Sequence, residues 1–400
     1  MDLHNGKLFW QTTEEKEIDI KRSDIAEHYD AVILGGGMSG SLCAYTLANE
    51  GLKVAIIDKG KVGRGSTLAN TGLLQYSNDI MLHELVNQIG EEKAVRFYTI
   101  CRNAVDQLEE VSEKIPINSD FIRRKSLYYA SDETDVKKLK KEFDTLRKHG
   151  FDAEYLTRKD LENHTPFSKP AAIITHGDAE VNPFLFSRGI IRYLNEHDRV
   201  GIFENVNADE IIENQEGIEI STSIGRFQSN NILFATGYEK PPFLSETRAD
   251  LNRSYAMATE PIEDLSAWKD RDLIWETKRP YLYLRTTQDN RILAGGLDED
   301  KPETPQNEDW INNRAQRIRM EVRKLFPDLD IKVAFAWGAV FGESVDNLPF
   351  IGKHPTKDRI YYLLGYGGNG TVYSMLGSVI LKDLILGRSN KDAEIVKLDR

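Results

Sequence analysis

Three glycines near the N-terminus, Gly35, Gly37 and Gly40, have the spacing GxGxxG, which is suited to holding the pyrophosphate of a dinucleotide. They follow a short apolar run that predicts a buried strand, and they open a segment, roughly 38–50, that predicts a helix. In such a turn the first glycine permits a tight bend, the second lets the backbone approach the pyrophosphate, and the third lets helix and strand pack closely. The amides at the helix N-terminus then face the phosphates.

Asp58 ends a second predicted strand, LKVAIID, and adds a carboxylate to this unit. A carboxylate at that place accepts hydrogen bonds from both ribose hydroxyls and repels a 2′-phosphate, so NADP is disfavoured. The unit by itself leaves FAD and NAD open. The structural alternative is an ordinary glycine turn of an α/β sheet, with Asp58 capping a loop.

A second strand, glycine turn and helix near the C-terminus favours FAD. The turn is GYGGNG, residues 365–370, and the apolar residues of segment 372–380 recur at helical spacing. The N-terminus of that helix would stabilise the negative charge that develops at the N1–C2=O edge of a reduced flavin. The alternative is a glycine turn that only leads into a packing helix. The FAD hypothesis requires both turns to converge on opposite halves of one cofactor.

Composition narrows the class of protein. The chain has 400 residues, 40% of them hydrophobic, which predicts two or three domain-sized units, and its net charge of −12 argues against a nucleic-acid partner. Cys43 and Cys101 have no metal-ligand spacing, so we expect neither a disulfide framework nor a metal site. The acids and lysines of the first 22 residues do not resemble a secretion signal, and no apolar run of about 18 residues predicts a membrane span. We expect a cytoplasmic protein.

Motifs from both ends of the chain resemble those of the D-amino-acid oxidase superfamily of FAD-dependent oxidoreductases, which includes glycine oxidase, monomeric sarcosine oxidase and gamma-glutamylputrescine oxidoreductase. The resemblance runs from about residue 27 to 388. Besides the two glycine turns it depends on GSTLANTG (65–72), GDAEVNPF (177–184), FATGY (234–238) and WGAVFGESVDNLPFIG (337–352), and LFWQTT (8–13) is similar to the lead-in of the gamma-glutamylputrescine branch.

The resemblance implies an α/β fold in which two domains interleave. A Rossmann-like FAD-binding domain would use residues 1–82, 168–245 and 335–400. An α+β substrate domain with an antiparallel sheet would use residues 83–167 and 246–334. The pattern of residues agrees, because 125–130, 254–261, 280–287 and 291–297 predict short strands, while 83–113 and 308–325 predict helices.

The resemblance also implies FAD as the cofactor, bound noncovalently, because the Cys or His that links flavin in some relatives has no counterpart. The residues expected to hold FAD are Gly35, Gly37, Gly40, Asp58, Lys59, Arg64, Ser66, Thr67, Asn70, Thr71, Gly72, Ala208, Thr236, Gly237, Gly338, Gly367, Gly368, Asn369, Gly370 and Thr371.

Departures from the family bear on the substrate. Four cationic groups that relatives use near a substrate carboxylate correspond here to Phe341, Gly368, Gly72 and Val372. Because a buried carboxylate without a paired cation costs several kcal/mol, roughly, an α-amino acid in the usual pose is disfavoured.

Other residues are candidates for the missing contacts. Arg285 could hold an anionic tail, with Tyr283 on the same strand face, and Glu343 and Asp346 could attract an amine. The weaker candidates are Arg253 and Tyr255. The alternatives are a surface arginine, core tyrosines, and carboxylates that only cap or solvate a loop.

The expected activity is oxidation of a C–N bond of an amine or amino-acid-like molecule to an imine, with flavin as the hydride acceptor. Leu293 stands where sarcosine oxidases have a lysine that promotes reaction with oxygen, so oxygen and another electron acceptor both stay open. The rivals are a 2-hydroxy-acid or glycerol-phosphate type dehydrogenase, a flavin electron carrier without turnover, and an NAD-binding Rossmann protein.

Overall fold

The computed structural model describes residues 3–14, 16–21, 24–244, 249–365 and 367–400. Tyr366, inside the second glycine turn, lies outside these residues. The described strands are β1 (His4–Lys7), β2 (Tyr29–Leu34), β3 (Val54–Ile57), β4 (Leu73–Leu74), β5 (Ile122–Tyr129), β6 (Ala153–Thr157), β7 (Ala171–Glu180), β8 (Val200–Phe203), β9 (Ala208–Glu213), β10 (Ile218–Thr222), β11 (Gly225–Phe234), β12 (Ala249–Thr259), β13 (Leu273–Glu276), β14 (Leu282–Thr286), β15 (Ile292–Glu299), β16 (Val333–Ser344), β17 (Phe350–Lys353) and β18 (Ile360–Leu364).

Helices cover both sheets that these strands form. The described helices are α1 (Met38–Asn49), α2 (Leu82–Ile89), α3 (Glu91–Lys114), α4 (Val136–Lys148), α5 (Arg158–His164), α6 (Pro183–Asn195), α7 (Glu308–Leu325), α8 (Gly370–Ile385) and α9 (Ala393–Val396). The predicted helices at 83–113 and 308–325 correspond to α2, α3 and α7. The predicted short strands correspond to β5, β12, β14 and β15.

The first sheet has a parallel centre, as a Rossmann-like unit requires. Its order is β17-β18-β11-β2-β3-β8, and the five strands from β18 to β8 are parallel to their neighbours. The strands β9, β10 and β11 continue it as an antiparallel meander. The central strands read VIL and VAII because helices and the meander cover both faces, which leaves no position for a polar side chain.

The second sheet has the order β1-β16-β12-β15-β14-β13-β5-β7-β4, with β6 paired to β7, and it is antiparallel except where β5 meets β13. The predicted domain boundaries assign β7 and β16 to the FAD-binding domain, but both strands pair within this second sheet. The domain boundaries themselves stay a prediction. β1, from the N-terminal segment, extends this sheet along β16.

Two glycines set the geometry of the first turn. Gly35 has a φ of +104°, and a Cβ there would lie 2.4 Å from the Ala235 carbonyl oxygen. A Cβ at Gly40 would lie only 1.8 Å from the carbonyl oxygen of Gly35, so α1 crosses the end of β2 in direct backbone contact. The role predicted for the third glycine, close packing of helix and strand, is what the structure shows.

Candidate active site

A cavity of about 600 Å³ lies against both sheets and is lined by both glycine turns. Gly35 and Gly37 line one part of it, and residues 367–371 line another. The two turns are more than 300 positions apart in the chain, yet they face one space of the size that a small-molecule cofactor site requires. Both turns therefore open on one cavity, as the FAD hypothesis requires.

The N-termini of α1 and α8 meet at this cavity. Neither N-cap residue caps its helix through its own side chain, but the Met38 amide that begins α1 donates to the Thr67 hydroxyl (3.1 Å). The Ser39 and Ser374 hydroxyls, near the two helix starts, are hydrogen bonded to each other at 2.8 Å. Asn369 precedes α8, but its side chain donates to the Ser77 carbonyl (2.8 Å) and the Asn78 amide oxygen (3.1 Å) instead of capping the helix. The positive dipole ends of the two helices, with the first-turn amides that no side chain caps, suit a pyrophosphate and an electron-rich ring edge.

Asp58 lines the cavity beside the first turn. Its two carboxylate oxygens accept hydrogen bonds from the amides of Gly36 (2.7 Å) and Gly60 (2.8 Å), which orients the side chain and leaves each oxygen able to accept a further bond. Lys59 also lines the cavity and forms an ion pair with Glu239. This end of the cavity therefore has the carboxylate expected for a ribose.

The loop of residues 65–72 is held from behind by three buried donors. The indole nitrogens of Trp337 and Trp10 donate to the carbonyl oxygens of residues 69 (3.0 Å) and 70 (2.6 Å), and Arg285 Nε donates to that of residue 71 (2.8 Å). The side chains of Asn70 and Thr71 line the cavity. The N-terminal segment that carries Trp10 thus belongs to the framework of the site.

Replacing Trp10 with phenylalanine tests this role. The ring would still fill its buried position, but the loop would lose one hydrogen bond, so we expect FAD to bind about 3- to 10-fold more weakly, which corresponds to one ordinary hydrogen bond. The measurement is fluorescence titration of the apoprotein with FAD. Trp310→Phe is the matched control, because its indole donates to Tyr255 away from the cavity. Equal affinity in Trp10→Phe and wild type would contradict the prediction.

The end of the cavity away from Asp58 and Lys59 is anionic. Its lining includes Asp79 and Asp298, with the hydroxyls of Ser254, Tyr281 and Tyr283. Among the described lining residues the cations are Lys59 and Lys240, neighbours of Asp58 and Glu239 in the chain. The apolar walls at the anionic end are Leu73, Trp275 and Phe341.

Asp79 is fixed against the second glycine turn. Its carboxylate accepts hydrogen bonds from the Tyr281 hydroxyl (3.0 Å) and from the Gly368 amide (2.9 Å). A Cβ on Gly368 would lie 2.9 Å from the nearer carboxylate oxygen. Gly368 is the position where the resemblance implies an arginine in relatives. This chain therefore places a negative charge at a position where those relatives have a positive one.

Several predicted substrate residues lie elsewhere, and these predictions need correction. Arg285 is 3% exposed, is not among the cavity lining, and donates to the carbonyls of Thr71, Val181 (2.7 Å) and Thr286 (3.0 Å). It shares the strand face of Tyr283 as expected, but the loop of residues 65–72 lies between it and the cavity. Tyr255 points to the opposite face of the sheet, where its hydroxyl donates to Glu299 (2.8 Å).

The other charged side chains proposed as substrate contacts also have partners within the protein. Arg253 Nε donates to Glu299 (2.7 Å), and Asp346 pairs with Arg400 (2.7 Å). Glu343 is not in the lining and accepts a hydrogen bond from Asn252 (2.6 Å). Burial, followed by the nearby charge of Asp79, raises the pKa of Glu343. The structure thus places Glu343 near Asp79 but outside the cavity lining.

Most predicted cofactor residues line the cavity, but four do not. Arg64 forms an ion pair with Glu14 (3.3 Å). Gly338 packs against Pro305 and the Tyr255 ring, because alternation along β16 turns it away from the cavity. Gly72 and Gly40 contribute backbone packing, against Val181 and Gly35 respectively. The remaining predicted residues, Gly35, Gly37, Asp58, Lys59, Ser66, Thr67, Asn70, Thr71, Ala208, Thr236, Gly237, Gly367, Gly368, Asn369, Gly370 and Thr371, all line it.

Four polar residues of the lining were not predicted from the sequence: Asp79, Asp298, Ser254 and Tyr281. Ser254 precedes Tyr255 directly, and Tyr281 lies two positions before Tyr283 on the same strand face. The alternation of side chains around these two predicted residues therefore indicated both positions. Asp79 follows the loop of residues 65–72 in an irregular segment with no periodicity to interpret.

One group of side chains in the described residues has spacing suited to a metal: His164, Asp270 and Asp272. None of the three lines the cavity. His164 Nε2 lies 2.7 Å from Asp272, and this hydrogen bond raises the pKa of the imidazole, so an ion pair accounts for the contact.

Comparison with known proteins identifies the class. The model of the FAD-dependent oxidoreductase family, DAO, matches residues 30–384. Glycine oxidase of Bacillus subtilis (strain 168) is 23% identical over 379 residues, covering 91% of this chain and 95% of that protein. Gamma-glutamylputrescine oxidoreductase of Escherichia coli (strain K12) is 23% identical over 387 residues, covering 90% and 84%. The chain therefore belongs to the family of FAD-dependent oxidoreductases.

Solved structures show the same fold. Glycine oxidase from Geobacillus kaustophilus superposes with a TM-score of 0.79 at 19% identity, covering 94% of this chain and 99% of that one. The predicted mixed α/β fold and the predicted FAD cofactor are confirmed. No helix in the described ranges has the length and apolar character needed to cross a membrane.

The site residues fit FAD. The cavity joins the pyrophosphate turn and Asp58 to the N-terminus of α8. These groups would meet, in turn, the pyrophosphate and ribose of FAD and its electron-rich ring edge. Cys43 and Cys101 are buried, and the described lining contains neither Cys nor His. This lining agrees with the expected noncovalent binding.

Proposed function

We propose that this chain oxidises the C–N bond of an amine or amino-acid-like molecule to an imine, which water then hydrolyses. The observation that supports this most is that one cavity combines residues suited to FAD with an anionic end that would attract an amine. Two relatives have names that refer to amino compounds, glycine oxidase and gamma-glutamylputrescine oxidoreductase.

Bound FAD would supply the hydride acceptor. The protein's part is to hold the substrate carbon in place and to exclude water. Trp275 and Phe341 provide apolar walls, and the hydroxyls of Tyr281 and Tyr283 provide polar contacts at the same end. Since a hydride leaves readily from a carbon that carries a neutral amine, no nucleophile or His-based triad is required.

The rival dehydrogenases of 2-hydroxy acids or glycerol phosphate fit less well. Their substrates are anions and would meet Asp79 and Asp298 at the anionic end. Like charges at close range in a partly dehydrated site repel by several kcal/mol, roughly. An electron carrier would not require a cavity with a separate polar end beyond its flavin. An NAD-binding protein would leave the second glycine turn without a role.

The electron acceptor that reoxidises the flavin is oxygen or another molecule. Leu293, at the position of the oxygen-promoting lysine of sarcosine oxidases, is fully buried in an apolar cluster with Trp337 and Ala256. This favours an acceptor other than oxygen. The rate at which air reoxidises the reduced holoenzyme measures the contribution of oxygen.

The test of the proposed function is bleaching of the visible flavin absorbance without oxygen. Matched sets isolate the reacting group: ethylamine, alanine and lactate, then phenethylamine, phenylalanine and phenyllactate. We expect bleaching by members that carry an amine, with the amines ahead of the amino acids. Bleaching by the hydroxy acids alone would overturn the proposal, and no bleaching by a wide panel would favour the electron carrier.

A further inference from the structure

An irregularity in β15 determines where Asp298 points. Along β15 and its partner β12, Arg253 pairs with Glu299 while Tyr255 pairs with Gly296, so β15 holds one extra residue. Leu297 lies in this bulge with a φ of +56°, which is strained for a leucine. Leu293 packs on the face that contacts Trp337, whereas Leu297 packs on the opposite face with the cluster around Tyr255.

In a regular strand residues 293 and 297 would share a face, so the bulge reverses the alternation. The reversal turns Asp298 to the cavity face, and the residue is part of the cavity lining. Strain of this kind concentrates where a side chain must be aimed. The bulge in β15 therefore directs a carboxylate into the active-site cavity.

The Asp298 carboxylate is incompletely satisfied there. Its Oδ1 atom is buried and has no hydrogen-bond partner. Burial raises the pKa of Asp298 to about 7, and the charges of Glu343 and Asp79 add to the effect, while Ser254 and Arg279 oppose it. Tyr281 and Tyr283 also face it. Because Asp298 also lines the cavity, a ligand there can bring positive charge and a donor to a carboxylate that the protein leaves incompletely paired.

We propose that Asp298, supported by Asp79, binds the ammonium group of the substrate, so that the substrate class is a cationic amine without a carboxylate on the reacting carbon. This inference rests on the proposed function, since it names the substrate of the same cavity. The ammonium supplies N–H donors and positive charge to the Asp298 carboxylate. Before the hydride leaves for the flavin, the ammonium gives one N–H proton to the Asp298 carboxylate, which leaves a neutral amine and a carboxylic acid.

The test uses the FAD-loaded protein and two inert probes of equal shape and opposite charge. In tert-butylammonium the carbon bearing nitrogen has no hydrogen, so it binds without reacting, and pivalate replaces the ammonium by a carboxylate. Calorimetry and the flavin spectrum report binding. We expect wild type to prefer tert-butylammonium, and Asp298→Asn to weaken its binding about 10- to 100-fold, the range for a charge-assisted hydrogen bond.

Asp300→Asn is the matched control, because it removes an exposed carboxylate two positions away. It should leave the affinity unchanged. Asp298→Asn binding the cation as tightly as wild type, or wild type binding pivalate better or neither probe, would overturn the inference.

The wild-type protein offers a second measurement that needs no variant. Protonation of Asp298 removes the charge that the cation requires, so its affinity should be constant above pH 7 and fall about tenfold per unit below it. Affinity that is independent of pH between 5 and 8, roughly, would contradict the inference. Because these probes cannot react, cation binding without bleaching by any amine would reject the proposed function alone.

Discussion

Replacing Gly40 with alanine is expected to abolish stable FAD binding and to destabilise the fold by about 3 kcal/mol or more. The new Cβ would lie 1.8 Å from the Gly35 carbonyl oxygen, a backbone atom that cannot move without opening the turn. Displacing α1 from β2 would misdirect the amides that face the pyrophosphate. Thermal unfolding and the ratio of flavin to protein absorbance after gel filtration measure the two effects.

Gly51→Ala is the control for this substitution. Gly51 follows the same helix at its other end, with a φ of +86° and no atom within 4 Å of the added Cβ. Its backbone strain should cost only about 1 kcal/mol, and FAD should stay bound. If Gly40→Ala retained FAD as well as Gly51→Ala, the close approach of α1 to β2 would not be the requirement described here.

Replacing Arg285 with methionine should lower the free energy of unfolding by about 3–5 kcal/mol. The change leaves three buried carbonyl oxygens without their donor and removes a cation 3.6 Å from Glu180, which is 1% exposed. FAD should also bind more weakly, because the carbonyl of Thr71 in the loop of residues 65–72 loses its donor. Chemical denaturation and FAD titration measure these losses.

This outcome separates a structural arginine from one that binds substrate. If Arg285 bound substrate, its replacement would raise KM and leave stability and FAD affinity near those of wild type. Arg158→Met is the control, since Arg158 is exposed and contacts Glu133 and the Ser168 hydroxyl at the surface, so its loss should change stability by less than about 0.5 kcal/mol.

Local signals in the sequence predicted the FAD-binding half well. The unit from β2 through α1 to β3 has its strand and helix periods, its glycines and its terminal carboxylate within 31 consecutive positions. Short-range sterics and periodicity are sufficient to define such a unit. The second turn and α8 were identified for the same reason.

The anionic half was predicted poorly because its residues depend on register and on covering loops. Alternation placed Arg285 on the face of Tyr283 correctly, but only the loop of residues 65–72, held by Trp10 and Trp337, separates Arg285 from the cavity. Alternation also fails at Leu297, where one inserted residue reverses the faces of β15. Neither the covering loop nor the β-bulge can be predicted from the pattern of neighbouring residues in the sequence.

The sequence by itself determined the two glycine turns, the helices that follow them, and the loss of the cations that relatives carry, because each is a matter of residue type and neighbouring positions. Only the tertiary structure decided that both turns open on one cavity, and that Asp79 and Asp298 are the charges that face it. The physical reason is that strand pairing and a single β-bulge aim side chains that are far apart in the chain, and this aim depends on partners and not on local preference.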